Sequence, residues 1–329
     1  VNPTQIFGTL SANGQVFVVN PNGILIGNGA VVNTAGFIAT THDVANGDFM
    51  AGRYDFTIAG KASASVVNLG LITASHAGFA ALVAPGVRNA GTITARFGKV
   101  ALASGQGFSL DLYGDNLIKL AVGETVADQV VDVATGERMS NLIRNEGKLS
   151  ANGGRVEITA AAARQVVDAV VSNAGVIEAK TATMRGGKIV LGGLNAPKVK
   201  AGTVAIKAGS VKLVNGSSIN VSGAAGGSVV VIAEKKLDVS GASIDATGQA
   251  EKGGSIALSA GSEVVISGSK IVADGALQGG KILIGKDAQG GTLPFAERTF
   301  IDSGSLLSAK DISGSSKGGF IETSGRFLG

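Results

Sequence analysis

The chain has 329 residues, among them 51 glycines, 5 prolines and no cysteine, and its 28 basic and 24 acidic residues leave a net charge of +4. That composition excludes a collagen-like or disordered origin for the glycine and any disulfide or thiolate chemistry, and so small a net charge is weak evidence for a polyanionic partner. Hydrophobic residues make up 45% of the chain but aromatics only 4%, so the interior has to be assembled from Val, Ile, Leu and Ala in thin layers, as in an elongated repeat array.

The chain opens on a dense mixture of turn formers and apolar alternation, NPTQIFGTLSANGQVFVVNPNGILIGNGA over residues 2–30. Asn20-Pro21-Asn22-Gly23 reads as a type I turn: proline sets φ at the second position, and Asn22 and Gly23 accept the tight return. Ile24 then starts the next apolar alternation. The first residues carry no initiator Met, basic segment or apolar signal region, so a processed product or a piece of a longer chain is expected. No run of 18 apolar residues occurs, and no membrane-spanning helix or membrane insertion is expected.

Next come segments in which Gly follows Asn by two residues and an aliphatic follows by two more. They are VVNLGLI at Asn68, VRNAGTI at Asn89, IRNEGKL at Asn145 and VSNAGVI at Asn173, with VNTAGFI at Asn33 as a longer variant. Asn and Gly tolerate the left-handed backbone of a sharp corner, so these read as corners between strands. Asn at equivalent corners of successive coils can stack as amide ladders, which accounts for them without a ligand. Two stretches break the pattern, residues 40–60 and 110–142; both read as excursions, a β-hairpin in the first case and mixed structure in the second, and insertions on a repeat scaffold are where binding function concentrates.

Between the corners lie glycine-led strands: GKVAL from Gly98, GRVEI from Gly154, GKIVL from Gly187, GSVVV from Gly227, GSIAL from Gly254, GKILI from Gly280 and GFIET from Gly319. Apolar residues two and four after the glycine give the period of a strand showing one face to a core. Past residue 200 the corners change to VNGSSI at Val214, VSGASI at Val239 and ISGSKI at Ile266, at steps of roughly 25 residues. Short strands, tight corners and that period predict an all-β, right-handed parallel β-helix with extrahelical hairpin-type insertions; a strict six-residue beat, the mark of the left-handed kind, is missing. About 13 such coils at about 4.8 Å each make a rod on the order of 60 Å.

Asn2-Pro3-Thr4-Gln5-Ile6-Phe7-Gly8 followed by VVNPNGILIG, residues 18–27, resembles the secretion domain of filamentous haemagglutinin-type exoproteins, the large partner in two-partner secretion (TPS). NPNGI, residues 20–24, is the most specific element, and ATTHDVANGDFMAGRYDF, VVNLGLI and GFAALVAP are similar to later parts of that family. The resemblance covers residues 1–190, with 191–329 continuing as β-helical stalk repeats. The family's domain normally starts several tens of residues earlier, with a cap and an NPNL motif, so a chain truncated at its start is expected. What the resemblance implies is a secreted or surface protein of a Gram-negative bacterium, exported through the periplasm by a cognate outer-membrane TpsB-type barrel transporter. Adhesion is the implied role, with a host-cell or surface glycan or protein as receptor. Asn2, Pro3, Asn20, Pro21, Asn22, Gly23 and Ile24 are then the expected transporter-recognition and folding motif.

Catalytic signatures do not survive inspection. A polysaccharide-active enzyme on this scaffold needs clustered carboxylates or a calcium site, and the acidic residues are scattered. GSSKG, residues 314–318, fits a nucleophile pattern, but no helix follows and both histidines, His42 and His76, lie upstream. GALQGGKI, residues 275–282, has Ile where a phosphate loop needs Ser or Thr. His42 and His76 have no metal-ligand companions at usable spacing. Lys198, Lys200, Lys207 and Lys212 have no aromatic platforms among them and read as a solvated strand face. The expectation is therefore no enzyme, cofactor, metal or nucleic-acid partner. The alternatives are a polysaccharide-active enzyme, or the stalk of a contact-dependent toxin.

Overall fold

The computed structural model describes residues 2–112, 117–120, 126, 128–161, 169–180, 182–185, 188–191, 202–285, 293–314, 317–325 and 327–328. Two compact units emerge, one of Val1–Ala95, Lys99–Leu149 and Glu157–Ser172, the other of Arg96–Gly98, Ser150–Val156 and Asn173–Gly329. Each is a stretch of right-handed parallel β-helix, and the described residues hold one α-helix, Asn46–Met50.

In the first unit three stacks of short strands face a common core. One stack runs Thr4–Ile6, Ile24–Ile26, Ser65–Asn68, Gly86–Asn89 and Asn141–Asn145. A second starts at Thr9–Ser11 and continues through Val31, Leu71 and Thr92; a third starts at Gln15–Val19 and continues through Gly36, Phe79 and Lys99. Period two sends every second residue inward, so Ile24, Val66, Val87 and Ile143 lie one above another, fully buried, as do Val32, Ile72 and Ile93. Each such side chain contributes about 2 kcal/mol of burial, and thin layers of branched aliphatics suffice.

The second unit repeats the scheme. Thr203–Ala208 underlies Ser228–Ala233, Ser255–Ala260, Lys281–Ile284 and Phe320–Thr323. Val204, Val229, Ile256 and Ile282 form one inward row and Ile206, Val231, Leu258 and Ile284 another, all fully buried. Lys207 is exposed and Lys212 half-buried; Lys198 and Lys200 lie outside the described residues, as do Ser315 and Ser316 of GSSKG. Asp302 closes one late corner, accepting hydrogen bonds from Ser267 Oγ, Ser305 Oγ and Gly268 N, and these bonds hold its carboxyl down at about 2.

Three expectations change. The strand Lys188–Leu191 pairs antiparallel with Ala182–Arg185, so KIVL is not the expected rung of the parallel coil, while Gly187 itself lies outside the described residues. Asn33 is no corner: it stands exposed within the strand Val31–Thr40, paired with Ser11 and Thr73, and Ile26 holds the position equivalent to Asn68. Nor do the Asn-x-Gly corners use left-handed backbone. Gly70, Gly91 and Gly147 are absent from the residues with positive φ; instead a Cβ on Gly91 would lie 2.1 Å from the Gly70 carbonyl oxygen, and one on Gly147 2.0 Å from that of Gly91. Glycine is required there by the coil beneath. The later corners do fit the left-handed reading, with φ of 87° at Gly216, 62° at Gly241 and 53° at Gly268.

Candidate functional site

Residues 20–23 form a closed turn: Gly23 N donates to Asn20 O at 3.1 Å, while Asn22 N donates to Asn20 Oδ1 at 2.9 Å. The side chain thus repeats the turn that the backbone makes, a common use of Asn at this position. Asn20 Nδ2 reaches the other way, to Thr4 Oγ1 at 2.9 Å and Asn2 O at 3.2 Å, and Thr4 N donates to Gly23 O at 3.0 Å. The two Asn-Pro steps, Asn2-Pro3 and Asn20-Pro21, are therefore neighbours on successive coils, tied by one amide side chain. Asn2 and Pro21 are exposed, Pro3, Asn20 and Asn22 half-buried, and Gly23 and Ile24 buried.

Both excursions close over this turn. The first ends at Gly60 and Lys61: Lys61 N donates to Pro21 O at 2.9 Å, and a Cβ on Gly60 would meet Thr41 O at 2.2 Å and Pro21 Cα at 3.0 Å. Gly23, with φ of 116°, faces Ser65 O and Val133 Cγ2, each 3.0 Å from where a Cβ would stand. Val133 belongs to the second excursion and is held by its own N–H on Ser65 Oγ at 2.8 Å. Asp132 beside it turns the loop by accepting from Ala134 N and Thr135 N, and accepts from Arg88 Nη1 at 3.1 Å. Arg88 also donates through Nε to Glu146 Oε2 at 2.8 Å, and that bond leads in raising its pKa. No pattern in the sequence marked Thr4, Gly60, Val133 or Arg88, because each acts on a partner far along the chain.

The excursions also meet each other. The first is closed by an antiparallel bridge between Asp43 and Ile58, but its strand Asp55–Phe56 pairs with Phe108–Leu110, which pairs with Ile118–Leu120, so both contribute to one antiparallel sheet. Phe56 and Phe108 stack at 4.7 Å, and the sheet rests on Ile38, Ala81, Val83, Ala101 and Ala103, the outward residues of the third stack. Those strands are buried on both faces, which is why FAALVA and KVALAS lack polar alternation. Phe17, Phe49 and Tyr54 extend the cluster with ring centroids 5.2 to 5.6 Å apart.

His42 sits at the root of the first excursion, 1% exposed, edge-on to Phe108 at 6.1 Å, with Nδ1 3.5 Å from Thr40 Oγ1. Burial lowers its pKa to about 4. The folded unit keeps this imidazole neutral where an unfolded chain protonates it near 6.5, so its contribution is whole above pH 6.5 and is lost as pH falls towards 4. The first unit is expected to lose about 3 kcal/mol over that window. A His42→Asn chain should show a flatter pH dependence of its urea midpoint across it, and an equally steep one would contradict the assignment. His76 is exposed, and among the described residues no group of three or more His, Asp or Glu is placed to hold a metal ion.

Asn68, Asn89, Asn145 and Asn173 end strands at corners and are fully buried. Asn68 Nδ2 donates to Asn89 Oδ1 and Asn89 Nδ2 to Asn145 Oδ1, each at 2.8 Å, while in the second unit Asn173 Nδ2 donates to Ser217 Oγ at 2.6 Å.

Comparison with known proteins places these features in a family context. Residues 1–206 match the TPS secretion domain family. Two proteins named heme/hemopexin-binding protein, from Haemophilus influenzae and from its strain ATCC 51907 / DSM 11121 / KW20 / Rd, are 29% identical over 215 residues and 31% over 199. Both alignments cover 58% of this chain but 21% and 20% of those proteins, so the chain spans about a fifth of the length of the curated relatives it matches. The crystal structure of the HMW1 secretion domain from Haemophilus influenzae superposes with a TM-score of 0.66 at 25% identity, over 99% of this chain and 82% of that one.

Proposed function

The chain belongs to the TPS secretion domain family, and from that premise we propose that the turn at residues 20–23 both nucleates the first coils and is read by a cognate TpsB-type outer-membrane barrel transporter. The protein is a two-partner secretion exoprotein; in this reading it reaches the surface of a Gram-negative cell, or the medium, through the periplasm. Residues 191–329 then continue as a stalk serving adhesion to a glycan or protein receptor.

One observation supports the double role. Within a single motif Gly23 and Ile24 are buried in the coil, whereas Asn2 and Pro21 stay exposed at its surface. Half-buried Asn20 fixes the first coils through its bonds to Thr4 and Asn22; the exposed part offers a rigid proline and an amide to a partner.

The test is made in the full-length protein with its transporter. Asn20→Ala should cost the first unit about 2 kcal/mol, for two hydrogen-bonding ends lost at a half-buried site, and should cut surface yield. Pro21→Ala combined with Asn2→Ala should cut surface yield while leaving the urea midpoint of the purified chain within about 0.5 kcal/mol of the parent. Normal surface yield in both variants refutes both roles; loss of yield that always tracks loss of stability refutes recognition by the transporter.

A further inference from the structure

The second unit carries a groove of about 920 Å³ across four successive coils. Its floor is made of glycine pairs, among them Gly253-Gly254 and Gly279-Gly280. Close stacking dictates these residues: a Cβ on Gly253 would lie 2.0 Å from Ala273 O, and one on Gly254 2.1 Å from Gly227 O. Glycine is thus a packing requirement, and the groove is its consequence, because no side chain rises from the floor. What flanks the floor is not dictated by packing. Lys252, Lys281 and Gln278 line the groove with Phe320, and Lys281 Nζ stands 5.9 Å from the Phe320 ring centroid. Among the described residues no Asp or Glu lines it. Among the described residues neither lysine takes part in an ion pair, whereas Lys236 in the same unit is paired with Glu263 at 2.9 Å.

We propose that this groove binds a linear acidic polysaccharide, whose carboxylates or sulfates meet Lys252 and Lys281 while one sugar face lies on Phe320. The groove is of the size that ligand sites occupy, and its two cations outside any ion pair, beside a floor free of side chains, are complementary to a repeating anion. An acidic peptide fits less well: peptides that bind sheets add to a free strand edge, and three of the four strands at the groove are paired on both sides, Ser228 with Thr203 and Ser255, Ser255 also with Lys281, and Lys281 also with Phe320. Single-stranded nucleic acid fits less well too, since successive bases need successive aromatic platforms and the groove has one. Among the described residues its lining has no carboxylate or histidine to act as acid or base, so the proposal is binding and not cleavage. The groove lies beyond residues 1–206; it names a ligand class for the stalk, and rests on the adhesive reading only for where the polymer would be met.

The purified chain is titrated with heparin, which carries both sulfate and uronate, with uncharged dextran, with poly-glutamate and with single-stranded DNA. Heparin should bind, dextran should not, and the affinity should fall as salt rises. K252Q/K281Q should weaken heparin binding at least about tenfold, and F320A a few-fold. K270Q/K310Q removes the same charge from exposed positions outside the groove and should stay within about twofold of the parent. Thermal midpoints of the variants establish that the fold is kept. The proposal is overturned if the parent chain does not bind heparin, if K270Q/K310Q loses as much as K252Q/K281Q, or if poly-glutamate or DNA binds as tightly and loses as much on K252Q/K281Q. Surface yield plays no part in this assay, so its failure and the failure of the export reading are separate results.

Discussion

Gly91→Ala is expected to destabilise the first unit by about 4 kcal/mol or more, although it adds one methyl group at an ordinary backbone angle. The new Cβ would stand 2.1 Å from Gly70 O and 2.8 Å from Gly70 N, both backbone atoms of the coil below, so no rotamer change relieves the clash. The coils have to separate, and every parallel hydrogen bond near the corner lengthens with them. Gly216→Ala is the matched contrast. That glycine has φ of 87°, and the nearest atom to its missing Cβ is Ala174 O at 3.9 Å, so the change meets open space and costs only the left-handed strain of about 1 kcal/mol. Urea unfolding of both variants separates two uses of one residue type. Equal losses would show that the Asn-x-Gly corners are not limited by coil spacing.

Asn89→Ala is expected to cost about 4 kcal/mol, more than its own hydrogen bonds would suggest. Asn89 accepts from Asn68 and donates to Asn145, and all three are fully buried. Truncating the middle amide takes the acceptor from Asn68 Nδ2 and a donor from Asn145 Oδ1, at roughly 1 to 3 kcal/mol for each buried group left short of a partner. Replacing Asn33, exposed in its strand, should change stability by less than about 0.5 kcal/mol. Equilibrium unfolding of Asn89→Ala and Asn33→Ala reads the difference directly, and similar values would remove the energetic case for the amide row.

The coils were legible because side-chain alternation is a local property. Val229 and Val231, or Ile256 and Leu258, announce their inward direction from within a few residues, and the structure buries all four completely. Which positions face one another on successive coils is not local. Asn33 resembles Asn68 in wording, yet the register aligns Asn68 with Ile26, because coil alignment follows from how much chain each excursion consumes. The docking of the excursions left one trace that alternation alone did not decode: FAALVA is apolar at every position, the pattern of a strand covered on both faces. The turn at residues 20–23 was readable from Pro21 and Gly23, but its tie to Thr4 and its cover by Val133 join residues whose own neighbourhoods carry no mark of the pairing.

Gly23 and Val133 are roughly 110 residues apart along the chain, and bringing such distant points together is entropically slow. The opening coils therefore stay unsealed until that loop closes, with Ser65 Oγ lacking the amide of Val133 and Gly23 lacking its cover. A chain interrupted anywhere before that loop has the strands of its first coils but not their lid. Closure of the lid joins the first coils to a loop far along the chain, so the turn at residues 20–23 is sealed only where the whole intervening stretch is in place.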